Sequence, residues 1–297
     1  MSLSSEALPL FRELGDLKRI HSADRSGSIA ERLFVSVWSG LVSGMAAEEV
    51  CNRVTAAALA AARLGDLDLR KLRQLGLEEP EAVAVLEKSF DEIAGPIDDG
   101  LAAELREHLA RGAPTIGNVP PFVDALVRQP RAGVTCPGKP RIMLAPTENH
   151  AEHSLVVAVY GVIAAGWEDA DHVPVFLAGM AHHLHSAAMP DSGYSGEILL
   201  GDALDRVIEH SREMAFAQLG DGLQGQMREA IEPIGGSETA EAHAFHVGDV
   251  IDRVLEIEQH VISAQVTMDT VIEEYGLVHD GPVKPLHDEI LTQAGLA

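Results

Sequence analysis

Histidine and acidic residues recur in three segments of this sequence at spacings that suit metal binding. The first segment holds His150 and His153, which lie about one turn apart on the same face of a helix. The second holds His182 and His183 within an apolar run, and the third extends from His246 to Asp252. Transition metals accept imidazole and carboxylate ligands, which a helical bundle brings together from separate helices. Each histidine alone also fits a core residue bonded to a backbone carbonyl, but the three segments together favour a metal site.

The elements that must position these residues are helices. Apolar residues recur at intervals of three and four along most of the chain, as in the run from Glu48 to Gly65, and alternating β-branched segments are scarce. Ser28 and Glu31 have the spacing of a capping box that opens a helix, and Gly65 is a typical helix stop. The predicted fold class is all-α: a helical bundle with an additional N-terminal helical region.

One segment interrupts the helical pattern. Seven prolines and four glycines fall within the 35 residues from Gly112 to Pro146, a composition that excludes a long helix. We expect one short helix in it, near Phe122–Arg128. The predicted organisation is an N-terminal helical region (1–112), a Pro/Gly-rich connector (113–146) and a metal-binding helical domain (147–297).

Charge and composition exclude several classes of function. The formal net charge of −24 repels nucleic acid and anionic lipid, and the aromatic content of 4% argues against base stacking. The two cysteines cannot form a disulfide framework. The longest weakly polar run, Leu155–Trp167, is too short to span a bilayer, and no secretory signal is visible. We therefore expect a cytoplasmic protein that binds a small molecule and neither nucleic acid nor membrane; a homodimer is compatible with these features.

The acidic chain contains one basic stretch. Arg128, Arg131, Lys139 and Arg141 lie close together, with no acidic residue between Asp124 and Glu148. Such a stretch often has only a structural role, but it precedes the histidine-rich part of the chain. Among these residues Arg131, Lys139 and Arg141 are candidates to bind a phosphate or carboxylate of the substrate.

A polar, Gly-rich loop is expected directly after His182 and His183, from Met189 to Glu197. Loops on a rigid helical scaffold commonly carry substrate contacts. Asp191 is a candidate general base and Tyr194 a candidate substrate contact. The alternative is an ordinary turn with Glu197 in the first turn of the next helix.

The order and spacing of these motifs resemble the HD-domain superfamily, which is named for a His…His-Asp…Asp metal site on an all-α fold. His153 opens an apolar helix like the first motif, His182-His183 stands in a segment like the central motif, and Gly248-Asp249 is similar to the last. The resemblance covers roughly residues 147–258 and leaves the first 112 unexplained. This chain has His183 where the family has an aspartate, which implies either a histidine-rich mononuclear site or a partly degenerate one.

The resemblance implies a divalent transition metal (Fe, Mn, Co, Ni or Zn) and a set of site residues. The expected ligands are His153, His182, His183 and Asp249. Additional ligands or supporting residues are His150, His210, His246 and Asp252. The candidate catalytic residues are His185, Asp191 and Glu197.

Three functions follow from the resemblance. The first is a metal-dependent hydrolase in which metal-activated water attacks a small phosphate ester or nucleotide. The second is a non-haem iron oxygenase, which the extra histidines favour and the missing aspartate disfavours. The third is a degenerate domain that serves as a signalling or interaction module, which the replacement by His183 favours.

Overall fold

Helices make up nearly the whole fold, as the hydrophobic periodicity predicts. The computed structural model describes residues 5–264 and 267–296 and confirms the all-α class. The α-helices are α1 (Leu8–Gly15), α2 (Ile29–Val42), α3 (Ala47–Leu64), α4 (Leu69–Gln74), α5 (Glu79–Ile93), α6 (Asp99–Glu107), α7 (Pro121–Arg128), α8 (His150–Glu168), α9 (His172–Ala181), α10 (Gly193–Leu200), α11 (Leu204–Phe216), α12 (Asp221–Ile231), α13 (Ala240–Ala264) and α14 (Lys284–Ala294). Strands β1 (His21–Ser22) and β2 (Arg25–Ser28) form a small antiparallel hairpin.

Sequence signals for helix ends agree with the structure at several places. Ser28 caps α2 by accepting the backbone N–H of Glu31, and α3 ends before Gly65, whose φ of 59° suits glycine. Helix α7 is the short helix expected in the Pro/Gly-rich connector. No described helix is both long and apolar enough to cross a membrane.

Helix α8 is the centre of the fold, with nearly all of its side chains buried. Two glycines let its neighbours approach closely. A Cβ on Gly179 of α9 would lie 2.6 Å from the Cα of Ala158, and one on Gly248 of α13 would lie 2.6 Å from the carbonyl oxygen of Val157. Both distances are shorter than van der Waals contact, so these helices pack backbone to backbone against α8.

The N-termini of α2 and α8 cap each other. Ser28 Oγ donates to Glu152 Oε1 (2.6 Å), and Asn149, the N-cap of α8, donates from Nδ2 to Glu31 Oε2 (3.2 Å). Each glutamate occupies the third position of its own helix, where it satisfies capping groups. The N-terminal region is therefore bonded directly to the start of the helix that carries His150 and His153.

The apolar core is continuous along the chain. One cluster of buried apolar side chains extends from Ala7 to Ala294. The ring centroids of Phe11 and Tyr160, which lies on α8, are 4.5 Å apart, and the Tyr160 hydroxyl donates a hydrogen bond to the Phe11 carbonyl oxygen. The division of the sequence at residues 112 and 146 stays a prediction.

Candidate metal centre

Helices α8, α9 and α13 bring His153, His182 and Asp249 together. His153 lies on α8 and Asp249 on α13, directly after the close-packed Gly248. The His182 side chain lies at the end of α9, which stops at Ala181 rather than continuing through the histidines. The sequence thus predicts the convergence, although it places His182 and His183 within the helix.

The end of α9 explains how two consecutive histidines share one site. Successive side chains of a continuous helix point about 100° apart. After His182 the backbone leaves the helical conformation at His183 (φ −105°, ψ 19°) and enters a 3₁₀ turn over Leu184–Ala187. The two imidazole centroids are consequently 4.2 Å apart.

His153 and His182 approach each other through their Nε2 atoms, which are 3.2 Å apart. Nδ1 of His153 lies 2.7 Å from Asp252 Oδ2, and Nδ1 of His182 lies 2.7 Å from the carbonyl oxygen of Gly179. Both partners only accept hydrogen bonds, so Nδ1 carries the proton in each ring and Nε2 presents a lone pair. Two lone pairs therefore face each other in a partly buried site.

Neither ring gains a second proton near neutral pH. Burial lowers the pKa of His153 to about 4 and that of His182 to about 3. The two carboxylates beside His153 already have cationic partners, because Lys18 pairs with Asp252 and Arg253 with Asp249. A cation other than a proton is thus the natural partner of the two Nε2 atoms.

Further ligand atoms surround this pair. One nitrogen each from His153, His182 and His183 lies within 4.8 Å of the others, and this set is called the histidine group below. Asp249 Oδ1 is 3.5 Å from His153 Nε2, is buried and has no hydrogen-bond partner among the described residues. Two nitrogens on one tetrahedral Zn²⁺ are about 3.3 Å apart, so the residues fit a shared ion. The histidine group can hold a metal.

Burial alone raises the pKa of the Asp249 carboxyl, but the neighbouring Arg253 guanidinium holds it well below its ordinary value. Asp249 is therefore ionised at neutral pH. Burial also lowers the pKa of His183 well below its ordinary value, which keeps this imidazole neutral. Neutral imidazoles and an ionised carboxylate are the protonation states in which these side chains bind metals.

A second set of possible ligands, called the carboxylate group below, contains Glu148, Asp252 and again His153. The ammonium of Lys18 lies among its carboxylates, 2.9 Å from Glu148 Oε1 and 2.7 Å from Asp252 Oδ1, and also 2.9 Å from Glu256 Oε2. Despite the cost of burial, these carboxylates hold the pKa of Lys18 well above its ordinary value. The carboxylate group already contains its cation.

A cavity of about 160 Å³ adjoins His183. Its lining includes Arg131, His150, His185, Asp191, Tyr194 and Glu197. Nη1 of Arg131 is buried and has no hydrogen-bond partner among the described residues, so the guanidinium is available to an anion. Burial raises the pKa of Glu197 above its ordinary value, so its carboxylate is a stronger base than that of an exposed glutamate.

The structure gives Asp191 a supporting position. Its two oxygens accept the backbone N–H groups of Ala132 (2.9 Å) and Gly193 (2.8 Å), and Oδ2 also lies 3.4 Å from His150 Nε2. Burial opposes its ionisation, but these partners lower the pKa of Asp191 below its ordinary value. A carboxylate held in this way is a weak base, and the raised pKa of Glu197 makes it the stronger base of the two candidates.

Some candidate residues lie outside the histidine group and the cavity lining. His210 is exposed on α11, and His246 on α13 bonds to the carbonyl of Gly236 (2.9 Å) and faces His287. Lys139 is exposed, bonds to the carbonyl of Glu274 (2.6 Å) and lies over the Tyr275 ring. His246 and Lys139 therefore contact residues outside the histidine group and the cavity lining.

Of the remaining candidates, Tyr194 and Glu197 line the cavity, whereas Arg141 lies outside its lining. Arg141 donates to the carbonyl oxygens of Ala132 and Ser192, which joins the two segments that carry Arg131 and Asp191. Tyr194 stacks on His279 with 3.8 Å between ring centroids. Tyr194 lies on α10 rather than in the loop that glycine content predicts, because the helix begins at Gly193, where Asp191 binds the backbone. Glu197 lies on the same helix, directly after its first turn, close to where the alternative interpretation expects it.

Sequence reasoning did not identify several residues of the site. Glu148 directly precedes a histidine segment and Arg253 directly follows Asp252, so proximity to the motifs could have indicated both. Lys18 had no such signal, because its partners Glu148 and Asp252 lie 130 and 234 residues away.

Comparisons with known proteins found no relative of this chain. No protein-family model, no curated protein and no solved structure matches the chain.

Proposed function

We propose that this protein is a metal-dependent hydrolase of the HD-superfamily type that acts on a small phosphate ester or nucleotide. The proposed ligands of a divalent transition metal are His153, His182, His183 and Asp249. One observation carries the proposal: the lone pairs of His153 Nε2 and His182 Nε2 face each other at 3.2 Å in a partly buried site. We further propose a cytoplasmic location and a small-molecule substrate.

The cavity beside His183 supplies the groups that hydrolysis needs. The ion would polarise a phosphoryl oxygen and lower the pKa of a nearby water molecule. The Arg131 guanidinium binds the phosphate and balances the charge that develops on its oxygens. Glu197 accepts the proton that water loses as the new P–O bond forms. As the old P–O bond breaks, the leaving oxygen accepts a hydrogen bond from His185 and takes a proton from solvent water, which gives the alcohol.

Metal analysis of tag-free protein, combined with a phosphate-ester panel, tests this proposal. We expect about one equivalent of Fe, Mn, Co, Ni or Zn, its loss in His182→Ala, and no loss in His210→Ala, which changes an exposed histidine in the same way. Arg131→Gln should retain the metal and raise KM for a phosphate ester. Metal in His182→Ala equal to that in the unchanged protein would contradict the assignment.

The same measurements separate the alternative functions. Bound iron with oxygen consumption and no ester hydrolysis would favour an oxygenase. Failure to bind any metal, even after reconstitution, would favour a degenerate interaction module. In either case the hydrolase proposal would be wrong.

A further inference from the structure

A second cavity lies in the N-terminal region, whose role the metal centre leaves open. Its volume is about 350 Å³, and all of its lining residues fall between Arg25 and Ile116. It therefore shares no lining residue with the cavity beside His183. Small-molecule sites commonly have volumes of about 300–1,000 Å³. The second cavity is large enough for a ligand of its own.

The floor of this cavity is apolar. Ile29 and Leu33 of α2 face Ala57 and Ala60 of α3, and Leu86 of α5 closes one side. Because alanine side chains end at Cβ, the face of α3 leaves space that larger residues would fill. An alkyl chain in this space would be removed from water, which stabilises it in proportion to its apolar area.

The rim is positively charged within a strongly acidic protein. Two acidic residues, Asp66 and Asp68, line the cavity, whereas the chain as a whole has a net charge of −24. The arginines of the lining are Arg25, Arg32, Arg53, Arg70 and Arg111. The lining thus carries more cationic than anionic side chains.

The surrounding protein neutralises these arginines only in part. Arg32 pairs with Asp66, and Arg25 pairs with both Asp66 and Asp68. Arg53 and Arg111 share one acidic partner, Glu49, and Arg53 also donates to the carbonyl oxygens of Gly112 (2.7 Å) and Arg111 (3.1 Å). Three carboxylates therefore balance four of the five arginines only in part.

Arg70 is the most available cation of the rim. Its side chain is exposed and makes no hydrogen bond or ion pair with any described residue. Guanidinium groups bind carboxylates and phosphates through paired N–H donors. The chemistry of the rim therefore selects an anion, and that of the floor selects an apolar body.

We propose that this cavity binds a small amphipathic anion, an alkyl or similarly apolar group of modest length that ends in a carboxylate or phosphate. At about 30 Å³ for each water-sized group, the volume accommodates a ligand of roughly a dozen non-hydrogen atoms. The apolar part contacts Leu33 and the alanines of α3, and the anionic end lies at the arginine rim.

Calorimetric titration of the full-length, metal-loaded protein tests the proposal with four probes of equal chain length: octanoate, octyl phosphate, octan-1-ol and octylamine. We expect saturable binding of at least one anion, with octan-1-ol at least about tenfold weaker because it lacks the charged hydrogen bonds. The ratio of octanoate to octyl phosphate affinity identifies the preferred head group. Octylamine binding as tight as that of both anions would overturn the proposal, as would failure of both anions to bind.

Two variants locate the binding site. Ala61→Phe fills the floor, and Arg70→Glu reverses an exposed charge on the rim without affecting the core. Both should weaken binding of the preferred anion at least about tenfold, whereas Arg206→Glu, the same charge change on exposed α11, should leave it unchanged. Binding that persists in both Ala61→Phe and Arg70→Glu would show that the anion binds elsewhere and would overturn the assignment.

Discussion

The histidine group and the carboxylate group share His153 and have similar ligand spacing, but among the described residues a cationic side chain, Lys18, lies between the ligand atoms of the carboxylate group alone. In the histidine group, neutral imidazoles direct lone pairs at each other. Beside this group, Asp249 Oδ1 has no hydrogen-bond partner among the described residues. In the carboxylate group, Lys18 Nζ lies within 2.9 Å of Glu148 and Asp252. Ligand spacing alone would mark both groups as metal sites.

The difference shows that a buried lysine gives the two neighbouring groups different roles. Lys18 balances the charge of Asp252, and Asp252 in turn accepts the Nδ1 proton of His153. This bond fixes the His153 tautomer that directs Nε2 towards His182. The carboxylate group therefore orients a ligand, while the histidine group supplies the ligand atoms.

Replacement of the internal cation should have the largest effect. Lys18→Met leaves Glu148, Asp252 and Glu256 buried without their ammonium, and we expect a loss of about 3–5 kcal/mol in the free energy of unfolding. Excess Mn²⁺ should restore part of that stability by taking the place of the ammonium. Urea unfolding with and without Mn²⁺ measures both effects.

Lys71→Met is the matched control, because its partner Asp24 lies at the surface and exposed ion pairs contribute little. Equal effects of the two lysine variants would refute the role assigned to Lys18.

Altered helix spacing should affect the histidine group through Asp249. Gly248→Ala brings a Cβ to 2.6 Å from the carbonyl oxygen of Val157, and we expect a loss of about 1–3 kcal/mol in the free energy of unfolding together with weaker metal binding. Gly222→Ala on α12 has open space and should be neutral or stabilising by up to about 1 kcal/mol. Urea unfolding and metal content test both variants, and unchanged metal content in Gly248→Ala would contradict the prediction.

Asp252→Asn tests whether the carboxylate group orients His153. Loss of the anionic partner at Nδ1 should weaken metal binding by about 10–100-fold. Competition with a chelator measures the affinity. Asp288→Asn, which alters a surface ion pair with Lys284, should have no effect on it. Equal affinities in the two variants would mean that Asp252 does not orient the ligand.

Acidification should have the most gradual effect. Burial lowers the pKa of His153 and His279 to about 4, below the value of 6.5 in an unfolded chain. Between pH 6.5 and 4 the unfolded chain therefore binds more protons than the folded metal-free protein, and the free energy of unfolding decreases as the pH falls.

Urea unfolding at several pH values across this window measures the slope. His279→Phe removes one titrating group while keeping an aromatic ring for Tyr194, so its slope should be shallower. A stability that stays constant down to pH 4 would contradict this prediction.

The helices and the convergence of His153, His182 and Asp249 could be predicted because their signals are local. Capping at Ser28, the stop at Gly65 and the order of the histidine segments each depend on a few neighbouring residues. The ligand roles of these residues stay predictions.

The rest depends on contacts between distant parts of the chain. Lys18 looks like any surface lysine until its partners 130 and 234 residues away surround it. Tyr194 lies on a helix, although the glycines and serines around it are poor helix formers and predict a loop. Thr135 Oγ1, 60 residues away, accepts the backbone N–H of Ser195 in the first turn of this helix, a contact that the local sequence does not reveal.

The mutual capping of α2 and α8 has a consequence for the order of folding. Its bonds join residues 124 and 118 positions apart, so they close long loops whose entropy cost must be met before the bonds form. Contacts of this kind form late, after local helices. We therefore expect the first turn of α8, with His150 and His153, to become ordered only once the N-terminal region has docked, so that metal uptake reports completed folding rather than initiating it.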